Sequence, residues 1–256
     1  KQNRIVNTTM LIPKMETVLI PVSCVEQGRW VYRTERFYSE ERLASPALRA
    51  MKAEHVHHTV RESGEYRSDQ GAIWQQISEK ASRRGARSNS MAMAEIYNQD
   101  KPALQSYLEH FKLEDSQVGA VFLINGKVVG MDCLGKTDTF AKVFKKLVES
   151  YALDAVDWFD SKTEVKASRA DIDGFFKVIA GAKTENVEGG GKSRRWSAKN
   201  CDAELISDLL SAFLSTPNLY FSSYGSNWQW GQFLFPPGLA QTVALPVGLN
   251  DMTSVG

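Results

Sequence analysis

The chain has 256 residues, enough to bury a sizeable core as one large domain or two small ones. Hydrophobic residues make up 43% and charged residues 24%, the composition of a globular protein rather than a disordered or fibrous one. With 31 Lys and Arg against 30 Asp and Glu the formal net charge is +1, which argues against a dedicated nucleic-acid or membrane-surface protein.

No apolar run approaches the ~20 residues of a transmembrane helix. The cysteines, Cys24, Cys133 and Cys201, are few and far apart, so a reducing, cytoplasmic location without a disulfide framework is expected. The chain opens on Lys1 rather than Met, and apolar alternation already begins at Ile5. It therefore reads as lacking an upstream part of the native protein.

Arg4 to Leu11 and Thr17 to Cys24 are β-rich runs joined by Pro13-Lys14-Met15-Glu16, which predicts a hairpin. Arg29 to Arg33 is a third strand candidate. Ser45-Pro46 predicts a helix start, with Ser as N-cap and Pro in the first turn, and the helix stops at Ser63-Gly64. A second helix begins near Ser68-Asp69, carries Ile73, Trp74, Ile77 and Ala81 on one face, and ends at Gly85. Met91 to Asn98 and Ala103 to Phe111 read as two shorter helices.

Val118 to Ile124, Asn125-Gly126 and Lys127 to Cys133 predict a hairpin with a type I′ turn. A long helix follows from about Asp138 to Asp160, and another from Ala170 to Ala180. Gly189-Gly190-Gly191 reads as a flexible joint. Asp202 to Leu214 fits either a helix or two short strands, and from Thr216 onward the chain reads as an irregular extension. The expected fold class is α+β, with antiparallel β-hairpins forming a sheet covered by several α-helices.

Polar words stand at the edges of these apolar runs, where binding sites are usually built. Gly191-Lys192-Ser193 lacks the first glycine of a phosphate-binding P-loop, because Asn186 occupies that place. His55, His57 and His58 crowd one helix without zinc-protease spacing, and a solvated face is the better reading, so no metal site is assigned. Cys24 fits either a thiolate nucleophile near Arg29 or a small buried hydrophobe. Gln70 and Gly71 add nothing to helix stability, so Ser68 to Gly71 is either a plain cap or a helix N-terminus opened to a ligand. Arg29, Arg33, Arg49 and Lys52 are cations suited to a phosphate or carboxylate, against the alternative of solvated surface charge.

The words Lys1-Gln2-Asn3-Arg4-Ile5, Asn7-Thr8-Thr9 and Ile20 to Trp30 resemble the ARG-and-rhodanese/phosphatase-superfamily-associated protein domain family, formerly a domain of unknown function. Ser68 to Gly71 with Trp74, Gly119 to Phe122 with Gly130 and Asp132, and Ser150-Tyr151-Ala152 with Asp154 resemble its later words. The resemblance covers about Lys1 to Ala180 and fades after Gly191. It gives a domain over residues 1–188, a faint continuation over 189–215 and an extension over 216–256. It implies a prokaryotic origin, a role in ADP-ribose or NAD-derived metabolism, and a short closing strand pair that Ala203 to Ser215 resembles in worn form. It also implies an acidic, Gly-containing segment ahead of Lys1.

Two functions follow as expectations. In the first, the protein binds or processes a nucleotide-like phosphate compound such as an ADP-ribose derivative. Arg4, Arg29, Arg49 and Lys52 would hold the anion with the helix start at Ser68. Asn3, Asn7 and Gln70 would orient the substrate, and Glu26, Asp69 or Asp132 would be the acid-base or metal-binding carboxylate. In the second, the protein is a non-catalytic interaction module whose polar words fix turns and buried hydrogen-bond networks. Cofactor and oligomeric state are left open.

Overall fold

The structure, a computed structural model, describes residues 3–8, 14–28, 40–125, 127–134, 136–158, 183–188, 194–199, 220–224 and 242–247. Its first hairpin is antiparallel, as the β-rich runs predict, but each strand is only three residues long. β1 (Arg4–Val6) pairs with β2 (Val22–Cys24) in the register Arg4↔Cys24, Ile5↔Ser23, Val6↔Val22. The connection is accordingly longer than the four-residue turn expected from Pro13 to Glu16. The third strand candidate at 29–33 and the helix at 170–180 lie outside the described residues.

α1 (Pro46–Ser63) and α2 (Gln70–Arg84) begin and end where their punctuation residues say. Gly64 and Gly85 close them with φ of 72° and 65°, the left-handed conformation that glycine adopts without steric cost. Asp69 caps α2 by accepting the Ala72 amide at 3.0 Å. Ser45 occupies the N-cap position of α1, yet its side chain makes no capping bond. The carboxylate of Asp154, 107 residues along the chain, accepts the Ala47 amide at 2.8 Å instead. The negative group that α1 needs at its start thus comes from another helix.

α3 (Met93–Gln99) and α4 (Lys101–His110) follow, hinged at Asp100, and both match the expected short helices. The central hairpin is β3 (Gly119–Ile124) and β4 (Lys127–Leu134), with Asn125 at φ 52° in its turn, the left-handed conformation that Asn tolerates. A register shift between Phe122 and Leu123 marks a bulge. α5 (Thr137–Asp157) packs on both strands and on α4. Ala120, Phe122 and Ile124 alternate onto the core face of β3, where they meet Phe140, Phe144, Leu147 and Tyr151 of α5. Phe122 and Tyr151 stack at 3.7 Å with an interplanar angle of 8°. Leu48 of α1, Ile73 and Ile77 of α2, Ile96 and Tyr97 of α3, and Leu104 and Tyr107 of α4 complete the same cluster.

Beyond α5 two findings depart from the sequence expectation. Two paired strands, β5 (Lys183–Glu188) and β6 (Arg194–Lys199), flank the glycine run at 189–191 in the sequence, while residues 202–215, where a helix or a closing strand pair is expected, lie outside the described residues. The C-terminal extension contributes β7 (Tyr220–Tyr224) and β8 (Thr242–Val247), which pair with β4 and β3 to give a four-stranded antiparallel sheet in the order β7-β4-β3-β8. Both strands are rich in β-branched or aromatic residues, but the Gly- and Pro-rich stretch between them masks the pattern. The architecture is α+β. No helix among the described residues is long and apolar enough to cross a membrane.

Candidate functional site

The polar words of the N-terminal third converge on the β1–β2 hairpin. Asn7, itself buried, donates its Nδ2 to the Tyr66 carbonyl at 3.0 Å and accepts Ser23 Oγ–H at 2.6 Å. Because Ser23 spends its only proton on Asn7, the 2.6 Å contact between Ser23 and Ser68 must run from Ser68 Oγ–H to Ser23 Oγ. Lys52 of α1 reaches the carbonyls of Val6 and Asn7 at 2.5 and 3.2 Å. The end of β1 is therefore tied to α1, to the loop before α2, and to β2.

Gln70 explains its own position. Its amide nitrogen donates to the Cys24 carbonyl and its oxygen accepts the Cys24 amide, each at 2.8 Å. The side chain acts as one extra residue of strand on the open edge of β2, satisfying both backbone groups that the hairpin leaves unpaired. Glu26 is 4% exposed. Its Oε2 faces the Asn3 backbone and side-chain amides at 3.4 and 3.3 Å, and its Oε1 accepts Ser90 Oγ–H at 2.8 Å. Gly28 lies against the same loop: its amide donates to Ser90 O at 2.8 Å, and a β-carbon there would stand 3.2 Å from the Asn89 carbonyl oxygen. Cys24 is buried, with its thiol on the Glu26 carbonyl at 3.4 Å.

A second set lies apart from the hairpin. Arg49 of α1 forks onto Asp132 of β4 at 3.0 to 3.1 Å, and Tyr151 of α5 donates its hydroxyl to the same carboxylate at 2.9 Å. Asp132 is wholly buried and Arg49 is 8% exposed. The structure thus joins Asn3 to Glu26, Asn7 to Ser68 and Lys52, and Gln70 to β2, while Arg49 and Asp132 form a separate pair. Arg4 and Asp69 are exposed, and Asp69 serves as the α2 cap. Arg29 lies outside the described residues. His58 pairs with Glu62 on the exposed side of α1, and no cluster of metal-ligating residues occurs among the described residues.

Sequence reasoning missed a buried ionic group among the described residues. Lys80, buried near the end of α2, donates to Asp154 at 2.6 Å and to Asp157 at 2.9 Å. Arg83 forks onto Asp157, and Arg84 forks onto Asp100 while also donating to the Val156 carbonyl. The available signal was a Lys in the last turns of a helix one turn from Ile77, and two Asp three apart at the end of α5. Burial works against a charged Asp157, yet the hydrogen bonds from Arg83 and Lys80 outweigh it and hold the carboxyl below the usual range.

A depressed folded pKa stabilises the fold above the unfolded value of about 4, and that stability drains as pH falls through the folded value. Asp157→Asn should therefore flatten the acid limb of a melting-temperature profile. An equally steep limb in the variant would refute the assignment.

Between α2 and the loops on either side of Glu26 and Ala92 runs a groove of about 310 Å³, lined by Gln27, Gly71, Trp74, Gln75, Ser78, Glu79 and Met91. An isolated antiparallel bridge between Glu26 and Ala92 fixes the wall opposite the helix.

The model of the ARG and Rhodanese-Phosphatase-superfamily-associated Protein domain matches residues 1–212. No curated protein and no solved structure matches the chain. The matched span takes in β1 to β6 and every described helix, and stops short of β7 and β8. By that match the chain belongs to the ARG and Rhodanese-Phosphatase-superfamily-associated Protein domain family.

Proposed function

We propose that this domain is a non-catalytic interaction module, in which the polar words hold the N-terminal hairpin to the helices. One observation carries the reading: Glu26, Asn7, Ser68, Gln70 and Asp132 each spend their hydrogen-bonding groups inside the chain. A general acid, general base or substrate-orienting amide must keep a group directed at open space. The nucleotide reading asked Arg49 and Lys52 to hold a phosphate, but Arg49 faces Asp132 and Lys52 faces two main-chain carbonyls. Only Arg4, of the described cations assigned to the anion, is exposed. A cytoplasmic location belongs to the same proposal, supported by the free, buried thiols of Cys24 and Cys133.

Thermal-shift measurements test the reading, since a ligand of the folded state raises its melting temperature. NAD, ADP-ribose, related nucleotides and divalent cations should leave the midpoint unchanged, whereas Gln70→Ala should lower it by several degrees, about 1–2 kcal/mol for two lost strand-edge bonds. A nucleotide-dependent rise that Arg4→Ala abolishes would overturn the module reading in favour of the ADP-ribose or NAD one.

A further inference from the structure

Among the described residues, the groove beside α2 has polar lining groups that the hairpin network does not consume. Gly71, Trp74, Gln75, Ser78 and Glu79 recur at helical spacing, so they share one face along about 12 Å of helix. An extended peptide rises about 3.3 Å per residue, and three to four residues would span that length. Gln27 and Met91 form the other wall, held by the Glu26–Ala92 bridge and the Gly28–Ser90 hydrogen bond.

Three features of the groove point to its occupant. Glu79 is the sole charged residue of the lining among the described residues, and Gln75 engages one of its oxygens, at 2.9 Å. The neighbouring Arg83 attracts Glu79 electrostatically, but its guanidinium hydrogen bonds go to Asp157, so Glu79 accepts none from it. Trp74 offers a large aromatic face, and its buried Nε1–H has no acceptor among the described residues, a standing cost that an incoming carbonyl would remove. Met91 is 38% exposed and sits at φ 50°, a conformation costly for an unbranched non-glycine residue, so its thioether is displayed at the rim rather than packed inside. An acidic, aromatic groove repels phosphate and attracts a cation.

We propose that this groove docks a basic peptide segment, seating an arginine or lysine side chain over the Trp74 ring against Glu79. A modest turn of the partly buried indole would then give its N–H to a carbonyl of the peptide. The inference rests on the module reading and names the chemistry of its partner.

The test uses the full chain labelled with ¹⁵N-tryptophan, with the Trp74 indole cross-peak assigned through Trp74→Phe. Titration with N-acetyl-Gly-Arg-Gly amide should move that peak saturably, and Glu79→Gln should weaken the apparent affinity about threefold or more. The isosteric Gly-citrulline-Gly peptide should bind more weakly, and Gly-Glu-Gly should leave the peak in place. Equal shifts from all three peptides, or none from the arginine peptide, would overturn the docking proposal while leaving the module reading intact. A shift driven by ADP-ribose instead, with a matching rise in melting temperature, would overturn both.

Discussion

Asp132→Asn is expected to destabilise the protein by about 3–5 kcal/mol, the cost of leaving a buried cation without its counter-ion. Asn keeps the size and shape of Asp, so the loss reports charge and hydrogen bonding rather than a cavity. Arg49 Nη1 and Nη2 both lie within 3.1 Å of the carboxylate, and Tyr151 adds its hydroxyl. Few native domains exceed 5–15 kcal/mol of total stability, so such a change should be plain in a urea-unfolding midpoint. Replacing both partners by apolar residues, Arg49→Met with Asp132→Leu, should recover much of the loss, because the desolvation of both charges disappears together. A carboxylate kept for chemistry predicts the opposite pattern, in which Asp132→Asn leaves the midpoint near that of the wild type. That result would return Asp132 to the list of candidate catalytic groups.

Local punctuation was legible in the sequence, and long-range partners were not. Pro46, Gly64, Asp69, Gly85 and Asn125 act through residues within one turn of themselves, so their meaning is contained in the neighbouring letters. Gln70 shows the limit. A Gln followed by Gly at a helix start has no helical rationale, and that oddness suggests a substrate-orienting amide. Its reason is the backbone of Cys24, 46 residues earlier, which no local pattern encodes.

The same limit explains why Ser45 read as the α1 cap when Asp154 supplies the bond, and why Lys80 and Asp157 drew no attention. A buried charge looks like a surface charge until its partner is in view. The C-terminal strands add a topological version of this problem. β7 and β8 flank a hairpin about a hundred residues upstream, and a strand is defined by its partner more than by its own propensity. The groove residues were partly visible, since Trp74 stood on the apolar face of α2. Met91 and Gln27 joined it only through the bridge between Glu26 and Ala92.

Gly119→Ala should be the most damaging small substitution in the central hairpin. A β-carbon built there would lie 2.1 Å from Cys133 Sγ, 2.9 Å from the Asp132 carbonyl oxygen and 3.1 Å from Cys133 Cα. Cys133 is wholly buried directly across the ladder from Gly119, so its thiol has no open space to rotate into. Burial also pushes that thiol's pKa well up, which keeps it protonated and packed as a hydrophobe. Relief therefore requires β3 and β4 to separate, and overpacking of that kind costs about 3 kcal/mol. Separation would also drag the Asp132 backbone, and with it the carboxylate that holds Arg49 and Tyr151. The double variant Gly119→Ala, Cys133→Ala removes the sulfur but not the 2.9 Å contact with a main-chain oxygen. Its unfolding midpoint should therefore fall between those of Gly119→Ala and the wild type, and the cycle closed with Cys133→Ala should give a coupling energy of about 1–2 kcal/mol. A Gly119→Ala protein as stable as the wild type would mean that the two strands do not approach as closely as the ladder requires, and the buried Arg49–Asp132 pair would lose the scaffold that positions it.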